Sequence, residues 1–145
     1  MLTENTATSA PIVWGELPDG TPVYRINLSA HGVNASFITY GAALADLRPE
    51  SVEYSLVLGF DRLEGYVQDA GYVGVNVGRF ANRIREAQLE IDGTLHRLDQ
   101  NFLGRHTLHG GSDGAGVTNW DLVRKTNDTV TFGAVFADGH MGFPG

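Results

Sequence analysis

The chain has 145 residues, of which 42% are hydrophobic and 19% are charged, as is typical of one globular domain rather than a disordered segment. Ten basic residues stand against seventeen acidic ones, and the formal net charge of −7 argues against a nucleic-acid backbone or an anionic membrane as the main partner. No cysteine is present, which excludes disulfides, thiolate zinc sites and cysteine nucleophiles within this sequence.

The N-terminal segment has neither a basic start nor an apolar core, so we do not expect a signal peptide there. No apolar run in the sequence is long enough to span a bilayer. Residues 1–13 are expected to form a flexible terminus, because most of the first nine, MLTENTATS, are small or polar. The expected location is the cytoplasm.

Nineteen glycines favour turns, and the segments between them predict an all-β, mostly antiparallel fold with little helix. Residues 61–67 predict a single helical turn. The continuous apolar run at 56–58 predicts that the strand containing it is buried on both faces. Strands are predicted over residues 21–28, 33–40, 43–47, 53–60, 120–125 and 129–136, with the last two paired as a hairpin.

The predicted site lies within residues 78–111, which read GRFANRIREAQLEIDGTLHRLDQNFLGRHTLHGG. Asp92-Gly93 is a strong two-residue turn signal, so strands at 89–91 and 94–98 are expected to form a hairpin. A hairpin folds its two ends back towards each other. The segments before and after it are therefore expected to meet. The glycine-rich segment 71–78 before it is suited to close approach of backbone to a neighbour or a ligand.

Asn82 and Arg83 are thus expected to approach His109. Amide, guanidinium and imidazole make a donor-rich set suited to sugar hydroxyls, carboxylates or phosphates. The apolar flanks of Asn82 and Arg83 predict that the two are partly buried, and the glycines after His109 leave room for a ligand. Arg79 has an equally good interpretation as a surface charge paired with Glu86 or Asp92.

Other chemistries have weaker signals. His106 and His109, with His96 nearby, have no carboxylate at a recognised spacing, so no metal site is predicted. The glycine-rich loop 110–116 lacks the Lys-Ser/Thr ending of a phosphate-binding loop and leads into no predicted helix. No Gly-x-Ser-x-Gly element is present to anchor a serine triad.

Several motifs, in order, make the chain similar to the aldose 1-epimerases, or galactose mutarotases. GRFANRI at 78–84, LEIDGTLHRL at 89–98 and TLHGG at 107–111 carry the resemblance. ITYGAAL at 38–44, VLGFDRLEGY at 57–66 and DGHMGFPG at 138–145 also resemble family segments, "TNYGA", "VLGFDSLEGY" and "DGEEGFPG". His140 and Met141 replace the acidic pair usual in the last motif, and the segment 101–106 is also atypical.

The resemblance implies a large antiparallel β-sandwich, of which residues 14–145 would be the N-terminal part. Family members continue past the Phe-Pro-Gly motif, so the chain is expected to be incomplete after Gly145, with Phe143 and Pro144 packing against residues beyond that point. The implied reaction interconverts the α and β anomers of a free hexose such as galactose or glucose. An acid protonates the ring oxygen while a base takes the anomeric hydroxyl proton.

By the same resemblance, Asn82 and Arg83 contact sugar hydroxyls, and His109 helps to bind the sugar and polarise an oxygen near the reacting centre. The family's principal acid, a second histidine, and its base, a glutamate, match no residue of this sequence. The 145-residue chain is therefore expected to be inactive alone, and no metal or organic cofactor is implied. Two alternatives stay open, a non-catalytic sugar-binding or sensing module and an epimerase acting on sugar phosphates.

Overall fold

The structure, a computed structural model, describes residues 10–68 and 71–145. Its largest element is a four-stranded antiparallel sheet in which each strand pairs with the next along the chain. His31 and Gly32 form the turn between the second and third strands with φ of 52° and 75°, as a two-residue hairpin turn requires. The strands are β1 (Ile12–Glu16), β2 (Pro22–Ala30), β3 (Val33–Ile38) and β4 (Ala43–Pro49).

The short helix α1 (Leu63–Gln68) covers one side of this sheet. Leu63 and Tyr66 are its buried residues, and they pack with Val23, Ile38 and Ala43 from the strands. Burial of this apolar surface is the main force that holds helix and sheet together. The predicted helical turn at 61–67 is confirmed, shifted by two residues at its start.

The predicted strand at 53–60 is wrong. The segment forms no strand, and Leu56 and Leu58 are 52% and 82% exposed, so the apolar run is not buried on both faces. The hydroxyl of Ser55 accepts the backbone N–H of Leu47 at 3.2 Å and that of Val57 at 3.3 Å. The backbone N–H of Leu56 donates to the Leu47 carbonyl at 2.8 Å, but a side chain accepts the Leu47 N–H in place of a backbone carbonyl, and the ladder beside β4 does not continue.

The remaining strands form three antiparallel pairs. The hairpin predicted around Asp92-Gly93 is confirmed, with φ of 50° and 76° at these two residues. The hairpin predicted near the end of the chain is confirmed as well. The strands are β5 (Arg83–Ile84), β6 (Gln88–Ile91), β7 (Thr94–Arg97), β8 (Thr107–Leu108), β9 (Asp121–Lys125) and β10 (Val130–Gly133), with β5 paired to β8, β6 to β7 and β9 to β10.

A second core cluster lies under the β6–β7 hairpin. Phe143 is 4% exposed and packs with Ile84, Ala87 and Leu98. The expectation that Phe143 packs against chain beyond Gly145 is therefore wrong, because its partners are residues of this chain. The cluster ties the last residues to the segment that carries Asn82 and Arg83.

The all-β prediction is confirmed, since ten strands and one short α-helix are found within residues 10–68 and 71–145. Of the predicted flexible segment 1–13, residues 1–9 lie outside the described residues, and Ile12 and Val13 begin β1. No helix in the described part of the chain is long and apolar enough to cross a membrane.

Candidate functional site

Two very short strands bring the ends of the stretch 78–111 together. In the β5–β8 pair, Arg83 lies opposite Leu108, and Ile84 lies opposite Thr107. Ile84 and Thr107 are buried, which anchors the pair to the second core cluster. Asn82 and His109 are the residues immediately outside this pair, so they are placed side by side.

Strand β8 is held on its other side by Asn101. The Asn101 side-chain amide donates to the Leu108 carbonyl at 2.9 Å, and its carbonyl accepts the Leu108 N–H at 2.7 Å. The Thr107 hydroxyl donates to the Asp99 carbonyl at 2.7 Å. An amide that reproduces both hydrogen bonds of a strand neighbour fixes the backbone that leads into His109.

Asn82 and His109 are joined by two hydrogen bonds. The backbone N–H of His109 donates to the Asn82 carbonyl at 2.9 Å, and the backbone N–H of Asn82 donates to the imidazole Nδ1 of His109 at 3.0 Å. Both residues have positive φ, 65° for Asn82 and 51° for His109. Asn and His are among the side chains that tolerate this left-handed conformation best. The expected approach of Asn82 to His109 is confirmed.

The Asn82 N–H fixes the chemistry of the His109 ring. Because Nδ1 accepts a hydrogen bond, the proton of the neutral imidazole lies on Nε2. Burial, and then the positive charge of Arg83, lower the pKa of His109 below its ordinary value. His109 is therefore a neutral ring at neutral pH, and its available group is a hydrogen-bond donor.

Arg83 lies beside this pair on the surface. Its guanidinium Nη1 donates to the Asn82 side-chain oxygen at 2.7 Å, and its plane covers the Phe102 ring at 4.4 Å from the centroid. These contacts orient a permanent positive charge without neutralising it. Within the described residues, Arg83 forms no ion pair with a carboxylate.

The prediction that Asn82 and Arg83 are partly buried is wrong, because both are exposed. Their apolar flanks misled the prediction. Phe80 and Ala81 are themselves exposed, and only Ile84 reaches the core. A two-residue strand at the surface buries one of its side chains and leaves the other in solvent.

Arg79 has a different role from either of its predicted partners. It pairs with neither Glu86 nor Asp92 among the contacts of the described residues. Instead its guanidinium donates to four backbone carbonyls near the end of the chain. The acceptors are Phe136 (3.0 Å), Ala137 (2.9 Å), Phe143 (3.4 Å) and Pro144 (3.1 Å). Arg79 thus binds the segment 136–144 to the segment that precedes Asn82.

The loop after His109 approaches residue 78 so closely that side chains are excluded. Gly110 has φ of 91°, and a Cβ at this position would collide with the Gly78 carbonyl oxygen. Gly114 is similarly confined by the backbone of His109 and Gly78. The sequence expectation of close backbone approach in the segment 71–78 is confirmed at Gly78.

The two histidines of the His-x-x-His sequence bind backbone rather than each other. His106 Nδ1 accepts the Glu86 N–H at 3.0 Å, as His109 Nδ1 accepts the Asn82 N–H at 3.0 Å. Each ring therefore uses one nitrogen to hold the segment 82–86. No three His, Cys, Asp or Glu side chains in residues 10–68 and 71–145 are grouped to hold a metal ion.

Sequence reasoning missed Tyr72 and Asn101 as parts of this site. The Tyr72 ring lies 4.5 Å from the His109 ring, measured between centroids. Its only sequence signal is its position in the glycine-rich segment 71–78. Asn101 lies in the segment 101–106, which matches the family pattern poorly, so no motif marks it.

Comparison with known proteins identifies the family. The family model described as aldose 1-epimerase matches residues 24–145. The chain is also 37% identical over 151 residues to a probable aldose 1-epimerase of Arthroderma benhamiae, covering 99% of this chain and 34% of that protein. This chain belongs to the aldose 1-epimerase family. It is 36% identical to the galactose mutarotase of Bos taurus, covering 92% of this chain and 40% of the relative.

Solved structures of the family agree with the fold. The GalM/aldose epimerase homologue from C. elegans superposes with a TM-score of 0.74 at 36% identity, covering 83% of this chain and 38% of that one. The galactose 1-epimerase from Lactobacillus acidophilus NCFM gives a TM-score of 0.77 at 27% identity, covering 92% and 40%. The predicted sandwich class is thereby confirmed. The chain spans well under half the length of the relatives it matches.

Proposed function

We propose that this chain supplies the sugar-binding side of an aldose 1-epimerase active site, with Asn82, Arg83 and His109 as the residues that contact a free hexose such as galactose or glucose. The observation that carries the proposal is the neutral His109 ring, whose Nδ1 is engaged by Asn82 while its Nε2–H stays available beside the Arg83 guanidinium. Family membership makes a sugar the natural acceptor for these donors.

In this proposal each residue contributes donors rather than acceptors. Arg83 presents N–H groups that are not used by Asn82 or by a carboxylate of the described residues. His109 presents Nε2–H to an oxygen near the anomeric carbon. A donor at that oxygen stabilises the negative charge that develops there as the ring opens and closes.

The same geometry argues that the base comes from elsewhere. The Nδ1 lone pair of His109 is occupied by the Asn82 N–H, and Nε2 already carries the proton. Arg83 is permanently charged and cannot accept a proton. The group that takes the anomeric hydroxyl proton is therefore proposed to lie in the part of the family's length that this chain does not span. On this basis residues 14–145 are one part of a larger sandwich.

The donor-only site also favours a second candidate for the 145-residue chain by itself, a sugar-binding role without catalysis. A sugar-phosphate substrate is less well supported. The GRFANRI motif contains one further arginine, Arg79. Its guanidinium already donates to four backbone carbonyls and is not available to a phosphate. The lack of cysteine fits the reducing cytoplasm, where we propose that the protein acts.

Polarimetry on freshly dissolved α-D-galactose or α-D-glucose tests the proposal. We expect the 145-residue chain to change the optical rotation hardly faster than buffer, because each missing proton-transfer group typically costs about a hundredfold or more. A fusion protein should be active in which this chain is followed by the part of the Bos taurus galactose mutarotase that it does not match (the continued protein). In that protein His109→Asn should lower kcat, and Arg83→Ala should mainly raise KM.

Arg85→Ala is the matched control, because Arg85 is an exposed arginine two residues after Arg83. It should leave both constants unchanged. The assignment of Arg83 and His109 is wrong if their variants behave like the Arg85 control. The donor-only account is wrong if the 145-residue chain is itself active and His109→Asn abolishes that activity.

A further inference from the structure

Tyr72 packs directly on the imidazole of His109. The two ring centroids are 4.5 Å apart and the ring planes are inclined at 59°. Tilted aromatic pairs at this distance are attractive beyond the area that they bury. Tyr72 also has a positive φ of 54°, so its backbone turns within the glycine-rich segment that precedes Gly78.

Gly116, a position without a side chain, lies close to the Tyr72 ring. A Cβ at Gly116 would lie 3.2 Å from Tyr72 Cδ1 and 3.0 Å from Val75 Cγ2. Burial raises the pKa of the Tyr72 hydroxyl, so the phenol stays neutral throughout the physiological range. The ring is therefore a neutral aromatic surface that lies close to both Gly116 and His109.

The hydrogen bond from Asn82 does not by itself fix the plane of the imidazole. An N–H aimed at Nδ1 sets which nitrogen carries the proton, but the ring can still rock about that contact. The Tyr72 ring, which packs against the imidazole at an angle of 59°, restricts this motion. Together the two contacts fix both the tautomer and the plane of His109, and hence the direction of its Nε2–H.

We propose that Tyr72 is a positioning residue for His109, packing against the imidazole so that its Nε2–H points in a single direction towards bound ligand. That the ligand is a hexose rests on the proposed function. The positioning itself does not, because it follows from the ring contact and the Asn82 hydrogen bond. Tyr72 acts through its ring, and its hydroxyl is not needed.

NMR of the imidazole nitrogens and protons in the 145-residue chain tests the positioning directly. Wild type and Tyr72→Phe should show His109 as one tautomer, with the proton on Nε2 and the ring protons displaced by the neighbouring aromatic ring. Tyr72→Leu should keep that tautomer, because the Asn82 N–H sets it, but the imidazole should rock more freely, and the relaxation order parameter of its ring carbons should fall. If the ring carbons of His109 keep the wild-type order parameter in Tyr72→Leu, Asn82 alone positions the ring and the proposal is wrong.

A second variant covers the case in which Tyr72→Leu does not fold. Gly116 has no positive φ, so Gly116→Ala strains no backbone angle but pushes on the Tyr72 ring. It should move the His109 ring signals while amide signals of the β2–β3 hairpin stay in place. Unmoved His109 signals in a folded Gly116→Ala would also overturn the proposal.

Activity separates this inference from the proposed function. In the active, continued protein Tyr72→Leu should lower kcat by roughly two- to tenfold with little change in KM, and Tyr72→Phe should restore it. If the continued protein is inactive but the NMR result holds, the proposed function fails and the positioning role stands. If kcat falls equally in Tyr72→Phe and Tyr72→Leu, the hydroxyl matters and the role assigned to the ring is wrong.

Discussion

Asn82 and His109 exchange hydrogen bonds in both directions, one from the His109 backbone to the Asn82 carbonyl and one from the Asn82 backbone to the His109 ring. The two residues are 27 positions apart. The β6–β7 hairpin and the β5–β8 pair between them close that distance. The imidazole is thus held by backbone, which makes its tautomer a property of the fold.

The first prediction concerns pH. The folded state lowers the pKa of His109 from its ordinary value of 6.5, so the unfolded chain binds this proton more readily than the folded one. The stabilisation from neutral His109 is therefore fully present above about pH 6.5 and is lost as the pH falls through the folded pKa. The physical causes are the burial of the ring and then the positive charge of Arg83, both of which disfavour the protonated form.

His109→Asn provides the comparison, because Asn tolerates the positive φ at this position and does not titrate. The free energy of unfolding is measured by urea titration from about pH 7.5 to about pH 5, a range that brackets the ordinary histidine pKa. As the pH falls, it should decrease more steeply for wild type than for the variant. The other histidines are common to both proteins and cancel in the difference. A difference independent of pH would contradict the assigned tautomer.

The second prediction concerns the backbone of Asn82. Its φ of 65° is open to glycine but strained for a β-branched residue. Both Asn82→Gly and Asn82→Val lose the side-chain oxygen that accepts from Arg83. Asn82→Val should nevertheless lose about 1–2 kcal/mol more of the free energy of unfolding. Equal denaturation midpoints for the two variants would show that the left-handed backbone at Asn82 is not required.

The local parts of this site were predictable from sequence. The Asp92-Gly93 turn and the alternating residues around it predict the β6–β7 hairpin, and the hairpin predicts that Asn82 meets His109. Each inference uses residues close together in sequence. For the same reason β2, β3 and β4 were predicted almost as they are found, whereas β1 was not predicted as a strand.

What failed depends on distant contacts. The run at 56–58 looked buried because its residues are apolar, but burial is decided by what covers them, and Leu58 remains exposed. The β5–β8 pair is too short to have a periodic pattern. The carbonyls bound by Arg79 lie 57 to 65 residues away, and backbone acceptors carry no sequence signal.

The last prediction concerns Arg79, whose guanidinium holds the segment 136–144 against the site. Hydrogen bonds from a charged donor contribute more than neutral ones, about 1.5–3 kcal/mol each when well formed. Removing all four should therefore open this segment locally before the rest of the chain unfolds. Arg79→Met should speed amide hydrogen exchange at Gly139 and His140, whose N–H groups bond within the segment, by roughly tenfold or more.

Arg79→Lys, which keeps the charge but lacks the planar fork, should give an intermediate rate. Arg85→Met, a change at an exposed arginine nearby, should leave exchange at both amides unchanged. If Arg79→Met also leaves the exchange rates of these amides unchanged, the second core cluster around Phe143 is sufficient to hold the segment, and the hydrogen bonds of Arg79 are not required.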